Sequence, residues 1–301
     1  MNIYISGISG TGMGPLALMA KNAGYQVFGS DRSRGAISYE LDQANIPFEV
    51  GNQDGSFLKQ IHESHHLDWF VYTSALPEEH PELKLAKFLG LKISKRDELT
   101  AYLVKTLGLK MIAIAGTHGK TTTTAMLIWA TQKLQLPAAY IVGSTLSFAP
   151  SGSYHPNDQY FIYEADEYDR NFLYYEPWLS LITFVSYDHP DIYPSEADYH
   201  QAFLQFEKQS QSLIFASPAA TPPNLSILSG HPLQVLNIPD PRFTLAGSAR
   251  REDVNLVFHA IKQILADQSD HSQISDQQIL DILNQFPGVG RRFERLKDGL
   301  Y

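Results

Sequence analysis

The sequence predicts an α/β protein of two successive units, each a parallel sheet flanked by helices. Three observations lead there. A short apolar strand runs into a glycine-punctuated turn and then a helix twice, first at Asn2 to Ser6, G-I-S-G-T-G and Met13 to Gly24. The second occurrence is Met111 to Ala115, G-T-H-G-K-T and the stretch from Lys120 through Met126, Leu127 and Trp129. The chain has 301 residues, which suits two domains at about 100–200 residues each. The expected organisation is a Rossmann-like domain over 1–108, a P-loop-type α/β domain over 109–294, and the start of a linker at 295–301.

Composition narrows the class. Hydrophobic residues make up 44% and charged residues 18%, ordinary for a globular chain. The formal charge is −9 and no basic run exceeds the pairs Arg250–Arg251 and Arg291–Arg292, so no nucleic-acid partner is expected. The absence of cysteine excludes disulfides, thiolate metal sites and cysteine nucleophiles. M-N-I-Y-I-S-G is not a secretory leader, and no apolar run approaches the ~18 residues of a membrane span. The expectation is a soluble, cytoplasmic protein without a membrane partner; oligomeric state is not legible.

In the first unit the strand at Asn2 to Ser6 is β-branched and aromatic, and the next, Tyr25 to Gly29, ends in Asp31. Gly7, Gly10 and Gly12 form G-x-x-G-x-G between them, with Ser9 where the dinucleotide fingerprint G-x-G-x-x-G has its middle glycine. Glycines there let backbone approach a pyrophosphate, and an acid some twenty residues on suits ribose hydroxyls; an empty glycine-rich turn has the same pattern. Strands at Pro47 to Val50 and Asp68 to Thr73 follow, the second ending in T-S-A-L-P. Thr73 and Ser74 therefore sit where an open parallel sheet meets ligand, or cap the strand end. Helices at Pro81 to Leu89 and Glu98 to Leu107 complete the unit, and Lys105 to Lys110 is the hinge.

The second unit opens on the phosphate cradle. In I-A-I-A-G-T-H-G-K-T-T-T-T, Gly116 and Gly119 let N–H groups close on phosphate oxygens, with Thr117 and His118 between them. Lys120 adds a point charge, and a hydroxyl at Thr121 or Thr122 can ligate Mg²⁺. The generic loop G-x-x-x-x-G-K-[ST] would place its first glycine at Ile114, so the spacing here is a narrower variant. Ala138 to Val142 is a further strand and A-P-S-G-S-Y-H-P-N-D a loop. Tyr160 to Tyr163 then enters E-A-D-E-Y-D-R-N-F, where carboxylates at a strand end beside a phosphate loop suit Mg²⁺ bridging β- and γ-phosphates. An acidic turn with no ligand is the alternative. A strand at Leu179 to Val185 ends in S-Y-D-H-P-D. Beyond it come a helix from Ser195 to Ser210, a strand at Leu213 to Ala216, a Pro-rich stretch around Thr221 to Asn224, and helices at Arg251 to Asp267 and Ser275 to Gln285.

A-G-T-H-G-K-T-T-T and E-A-D-E resemble the Mur ligases, the ATP-dependent peptide-adding enzymes of bacterial cell-wall precursor synthesis. G-I-S-G-T-G-M-G-P-L-A, G-S-D at 29–31 and T-S-A at 73–75 resemble the N-terminal domain of members that take UDP-N-acetylmuramic acid directly. F-P-G-V-G-R-R-F-E resembles the end of the central domain in the alanine-adding branch. The resemblance implies a Rossmann-like UDP-binding domain, a P-loop-type ATP-binding domain, and a third, lid domain that this chain does not reach. It implies that Gly10, Thr11, Gly12 and Met13 face the pyrophosphate, with Gly7 in the same UDP-sugar site, Asp31 on the nucleoside side and Thr73 and Ser74 in the same crevice. Gly116, Thr117, His118, Gly119, Lys120, Thr121 and Thr122 would bind ATP, with Arg291 or, preferred, Arg292 reaching its phosphates. Thr121, Glu164 and His189 would hold Mg²⁺, Asp188 orienting the histidine, while Asp166, Glu167 and Asp169 would be structural or solvated.

There are departures. Phe184 stands where many relatives have asparagine, and G-S-A-R-R-E-D-V-N puts Arg250 and Asp253 where asparagines help hold adenine, with Asn255 out of register. A carbamylated lysine finds no convincing position, Lys208 being the only one nearby. The implied function is a ligase joining L-alanine to the carboxylate of UDP-N-acetylmuramic acid through an acyl phosphate, with Lys120, Glu164 and His189 as the catalytic group. Lacking a lid, the chain as it stands is expected to be an incomplete, inactive portion. The alternatives are a recycling ligase that adds a murein tripeptide to the same UDP-sugar, a non-catalytic UDP-sugar-binding or regulatory protein, and a bare P-loop ATPase.

Overall fold

The computed structural model describes residues 1–220, 232–237, 240–245, 248–268 and 274–289. The chain divides into two compact units, Met1–Leu109 with Ala139–Asp158, and Lys110–Ala138 with Gln159–Tyr301. Residues 139–158, which lie inside the second domain expected from sequence, thus belong with the first unit.

The first unit runs β1 (Asn2–Ser6), α1 (Gly14–Asn22), β2 (Gln26–Asp31), α2 (Ser38–Gln43), β3 (Phe48–Val50), α3 (Ser56–His65), β4 (Trp69–Tyr72), α4 (Pro81–Phe88), β5 (Lys92–Lys95) and α5 (Arg96–Leu107). Its five strands are parallel in the order β3-β2-β1-β4-β5. Helices cover both faces, so Ile3, Tyr4 and Ile5 on β1 are fully buried and the strand reads as an unbroken apolar run. The order reverses between β1 and β4, which makes the ends of those strands the crevice of this sheet.

Three elements here escape the sequence reading. K-I-S-K has too little apolar content to announce a strand, and β5 forms because β4 pairs with it. There Lys92 Nζ lies 3.3 Å from the Trp69 ring and Trp69 Nε1 donates to Ser94 Oγ at 2.8 Å. The short helices α2 and α3 each bury only two side chains, Ser38 and Leu41, and Leu58 and Ile61.

In the second unit, β6 (Lys110–Ala115) and α6 (Lys120–Lys133) flank the phosphate loop. The chain then passes through β7 (Ala138–Ile141) and its antiparallel partner β8 (Gly152–Ser153), which from residue 139 on belong with the first unit, and β8 crosses the stretch expected as a loop. The chain continues through β9 (Tyr160–Glu164), a 3-10 turn (Tyr168–Tyr174), β10 (Leu179–Ile182), α7 (Glu196–Gln209), β11 (Leu213–Phe215), β12 (Leu233–Val235), α8 (Ser248–Asp267) and α9 (Asp276–Asn284). The strands β12-β11-β10-β6-β9 are consecutive and parallel. The chain leaves β6 for β9 on one side and β10 on the other, so the loops after all three meet at one sheet edge. Among the described residues, two helix starts carry side-chain caps. Ser195 Oγ accepts from Asp198 N at 3.2 Å, and Ser275 forms a reciprocal capping box with Gln278.

The strand β10 stops at Ile182, short of the expected Val185. The chain leaves the sheet there because Phe184 pairs with the phosphate loop in an antiparallel bridge to His118, and its carbonyl accepts from Thr117 N at 2.6 Å. The Pro-rich stretch at Thr221 to Asn224, the linker at 295–301, and Arg291 and Arg292 lie outside the described residues.

Candidate functional site

The phosphate loop joins the central strand of the second sheet to the N-terminus of α6, so backbone N–H groups and the positive helix end meet where an anion would sit. Gly116 has φ +135 and Gly119 φ +86, conformations that L side chains rarely adopt. Space is closed at both. A Cβ at Gly116 would collide with Thr183 Oγ1, and one at Gly119 would stand 2.8 Å from Asp253 Oδ1 of α8.

Thr117 knits the loop to the segment after β10. Its Oγ1 donates to Ser186 O at 2.8 Å, accepts from Ser186 N at 2.9 Å, and lies 2.9 Å from Tyr199 Oη. Burial pushes the Tyr199 phenol up, so this hydroxyl stays protonated. Thr183 Oγ1 donates to His118 O at 2.5 Å, and the exposed His118 ring lies parallel to Phe184, with centroids 6.2 Å apart. The loop is therefore held in shape from the β10 side before any ligand is considered.

Lys120 Nζ donates to Gly116 O at 2.6 Å and to Glu167 Oε2 at 2.7 Å. Thr121 Oγ1 donates to Glu164 Oε1 at 2.8 Å, which places the first helical hydroxyl and the carboxylate ending β9 side by side. Thr122 is half-buried one position on. Hydroxyl and carboxylate oxygens are hard donors, and no group of three or more His, Asp or Glu side chains among the described residues forms a ready metal cage. That donor set fits a Mg²⁺ ion that takes its other ligands from phosphate oxygens and water. His189, with φ +56, lies elsewhere in the cluster: its Nε2 is 3.6 Å from Glu167 Oε1 and 3.9 Å from Asp188 Oδ2, and its ring meets Tyr168 edge-on at 5.2 Å.

In the first unit the glycine turn is tied down by its own backbone. Gly7 N and Ile8 N donate to Ser30 O at 2.8 and 3.1 Å, and Gly14 N to Gly10 O at 2.9 Å. Asp31, expected to face a nucleoside, accepts from Ser9 N and from Arg32 N, each at 2.8 Å, so its carboxylate already holds the turn against β2. Gly10 and Thr11 are exposed and Gly12 half-buried, whereas Met13 is 4% exposed and packs inward. The Thr73 methyl lies 2.9 Å from where a Cβ would stand on Gly7, and Ser74 is exposed. The ends of β1 and β4 thus adjoin at the crevice.

Two carboxylates have buried surroundings that their sequence neighbours do not announce. Glu167, expected to be structural or solvated, is 1% exposed and lies between Lys120 and His189. Its burial follows from the turn that comes next, where Asp169 and Arg170 take φ +53 and +58, and from Tyr193 Oη, which donates to Glu167 O at 2.5 Å. No local pattern in E-A-D-E distinguishes the two glutamates. Glu82, in the first turn of α4, is also 1% exposed and accepts from Tyr4 Oη at 2.7 Å and from Ser6 Oγ and Ser30 Oγ, each at 2.6 Å. Gln53 Nε2 completes this network under the glycine turn, and burial beside Glu82 pushes the Tyr4 phenol far up.

Fold and site define an α/β protein with a glycine-turn unit followed by a phosphate-loop unit. Residues 2–106 match the family described as Mur ligase family, catalytic domain. The UDP-N-acetylmuramate–L-alanine ligase of Salinispora arenicola is 35% identical over 216 residues, 68% of this chain and 39% of that protein. Among solved structures, the UDP-N-acetylmuramate-alanine ligase of Thermotoga maritima superposes with a TM-score of 0.79 at 22% identity over 98% of this chain and 70% of that one. The UDP-N-acetylmuramate:L-alanyl-gamma-D-glutamyl-meso-diaminopimelate ligase from Neisseria meningitides gives 0.77 at 22% identity, over 95% of this chain and 98% of that one. The chain belongs to the Mur ligase family, and its match spans less than half of the length of the similar curated ligases, 39% and 45% in two of them. No helix among the described residues is long and apolar enough to cross a membrane.

Proposed function

We propose that this chain is the UDP-sugar-binding and ATP-binding portion of a ligase that joins L-alanine to the carboxylate of UDP-N-acetylmuramic acid. The observation that carries the ATP half is the pairing of Lys120 and Thr121, on the first turn of α6, with Glu167 and Glu164 beside β9. The Lys120 ammonium lies against the loop while the Thr121 hydroxyl and the Glu164 carboxylate sit together. Loop N–H groups and Lys120 would bind and orient the β- and γ-phosphates, and Thr121 with Glu164 would hold Mg²⁺, which supplies charge neutralisation for phosphoryl transfer to the sugar carboxylate. ADP would be the leaving group of that transfer, and the amine would then attack the acyl phosphate carbonyl and expel inorganic phosphate. In this reading His189 serves the same region from the Glu167 side, and no side chain acts as nucleophile. Glycines 7, 10 and 12 would cradle the UDP pyrophosphate in the first unit.

The reading is supported by the names and 35% identity of the curated relatives as well as by the loop geometry. The test is calorimetry of ATP with and without Mg²⁺, together with UDP-N-acetylmuramic acid, against the parent chain and Lys120→Ala. ATP binding that vanishes in the variant supports the reading; equal affinity in the two proteins overturns it.

A further inference from the structure

Among the described residues Glu167 touches both the loop lysine and the histidine after β10, and the phosphate and metal roles above leave it without a task. A lysine ammonium has three N–H donors. Gly116 O takes one at 2.6 Å and Glu167 Oε2 a second at 2.7 Å, so among the described residues one is left for a ligand. The lysine stem is flexible and carries about 2 kcal/mol of rotamer entropy, so an unanchored Nζ would sample many positions over the loop. Glu167 is itself fixed, by its burial and by the Tyr193 hydroxyl on its carbonyl. Its second oxygen, Oε1, faces His189 Nε2 at 3.6 Å. Stability is a poor reason for such an arrangement, because a buried ion pair is often no better than packed apolar side chains of the same volume.

We propose that Glu167 is a positioning residue of the phosphate site: it holds the Lys120 ammonium against the loop, with its remaining N–H free for a phosphate oxygen of the nucleotide. This rests on the reading of the loop as an ATP site. The function needs an acceptor oxygen toward Lys120 and tolerates a neutral group toward His189. Glutamine meets both needs, since its Oε1 can accept from Lys120 while its amide donates to a neutral histidine nitrogen. Methionine keeps similar volume and offers no strong acceptor.

The experiment measures ATP affinity by calorimetry for the parent, Lys120→Ala, Glu167→Gln and Glu167→Met, with the melting temperature of each recorded; Glu167→Ala replaces the methionine variant where that does not fold. The expected result is at least tenfold weaker ATP binding in Glu167→Met, recovery to within about threefold of the parent in Glu167→Gln, and no binding in Lys120→Ala. Affinity in Glu167→Met equal to the parent, with only the melting temperature changed, would reduce Glu167 to a structural role. Tighter binding in both Glu167 variants would show the carboxylate to be a competitor of the phosphates, and would equally overturn the proposal. A parent that binds ATP through Lys120 while Glu167 proves indifferent leaves the function reading standing and sinks this inference alone; a parent that binds no ATP removes both.

Discussion

Glu207 on α7 allows a quantitative test of the fold of the second unit. Its side chain is fully buried, and among the described residues no donor reaches either carboxylate oxygen. On the same helix the Phe203 and Phe206 rings pack on Phe172 at 5.1 and 4.9 Å. Burial pushes the carboxyl up from its ordinary 4.5 to about 8. The sign follows directly. Below pH 4.5 the carboxyl is protonated in folded and unfolded chains alike and costs nothing through ionisation; above it the unfolded chain ionises while the folded one stays neutral, until about pH 8. Stability therefore falls across that window by about 1.4 kcal/mol per pH unit, to a total of roughly 5 kcal/mol. That is comparable with the ~5–15 kcal/mol of a whole domain. Glu207→Gln keeps the volume and removes the titration. Urea unfolding of parent and variant side by side from pH 5 to pH 8, followed by a probe in the second unit, cancels every other titrating group. The stability difference should move in favour of glutamine by roughly 4 kcal/mol across that range. A difference that stays constant within ~0.5 kcal/mol would mean that Glu207 ionises in the folded protein as an exposed glutamate does, refuting the apolar burial.

Further outcomes follow from the site and the first unit. Lys120→Ala should abolish measurable ATP binding by calorimetry while its circular dichroism stays that of the parent, and it should lower the melting temperature because the buried Glu167 carboxylate loses its partner. Gly119→Ala should weaken ATP binding strongly, because its Cβ would crowd Asp253 in a backbone conformation with φ +86; parent-like affinity would show the loop to be compliant. UDP or UDP-N-acetylmuramic acid should raise the melting temperature of the first unit and NAD should not, whereas stabilisation by NAD alone would reverse the nucleotide-sugar reading. Glu82→Ala should destabilise the first unit by about 3 kcal/mol or more, because the Tyr4, Ser6 and Ser30 hydroxyls would lose a common buried acceptor; urea unfolding with less than ~1 kcal/mol of change would refute that network.

The sequence by itself determined the α/β class, the two strand–glycine–helix openings and the order of the main strands. Those features rest on local physics: buried parallel strands are continuous apolar runs, and phosphate cradles need glycine, lysine and hydroxyl at short fixed spacing. Lys120 and Thr121 are legible from that spacing, whereas the choice of Glu164, which lies beside Thr121 in the structure, rests on the family resemblance. Tertiary structure alone decided what depends on distant partners. The strand β5 exists because β4 pairs with it, and β10 ends early because Phe184 turns to the phosphate loop. Residues 139–158 belong with the first unit because Ser151, through N and Oγ, donates to Glu40 at 2.6 and 2.7 Å. The two glutamates of E-A-D-E are chemically identical in sequence, and only the left-handed turn at Asp169 and Arg170 buries the second against Lys120. Burial and charge pairing are properties of packed neighbours, so no local window of residues encodes them.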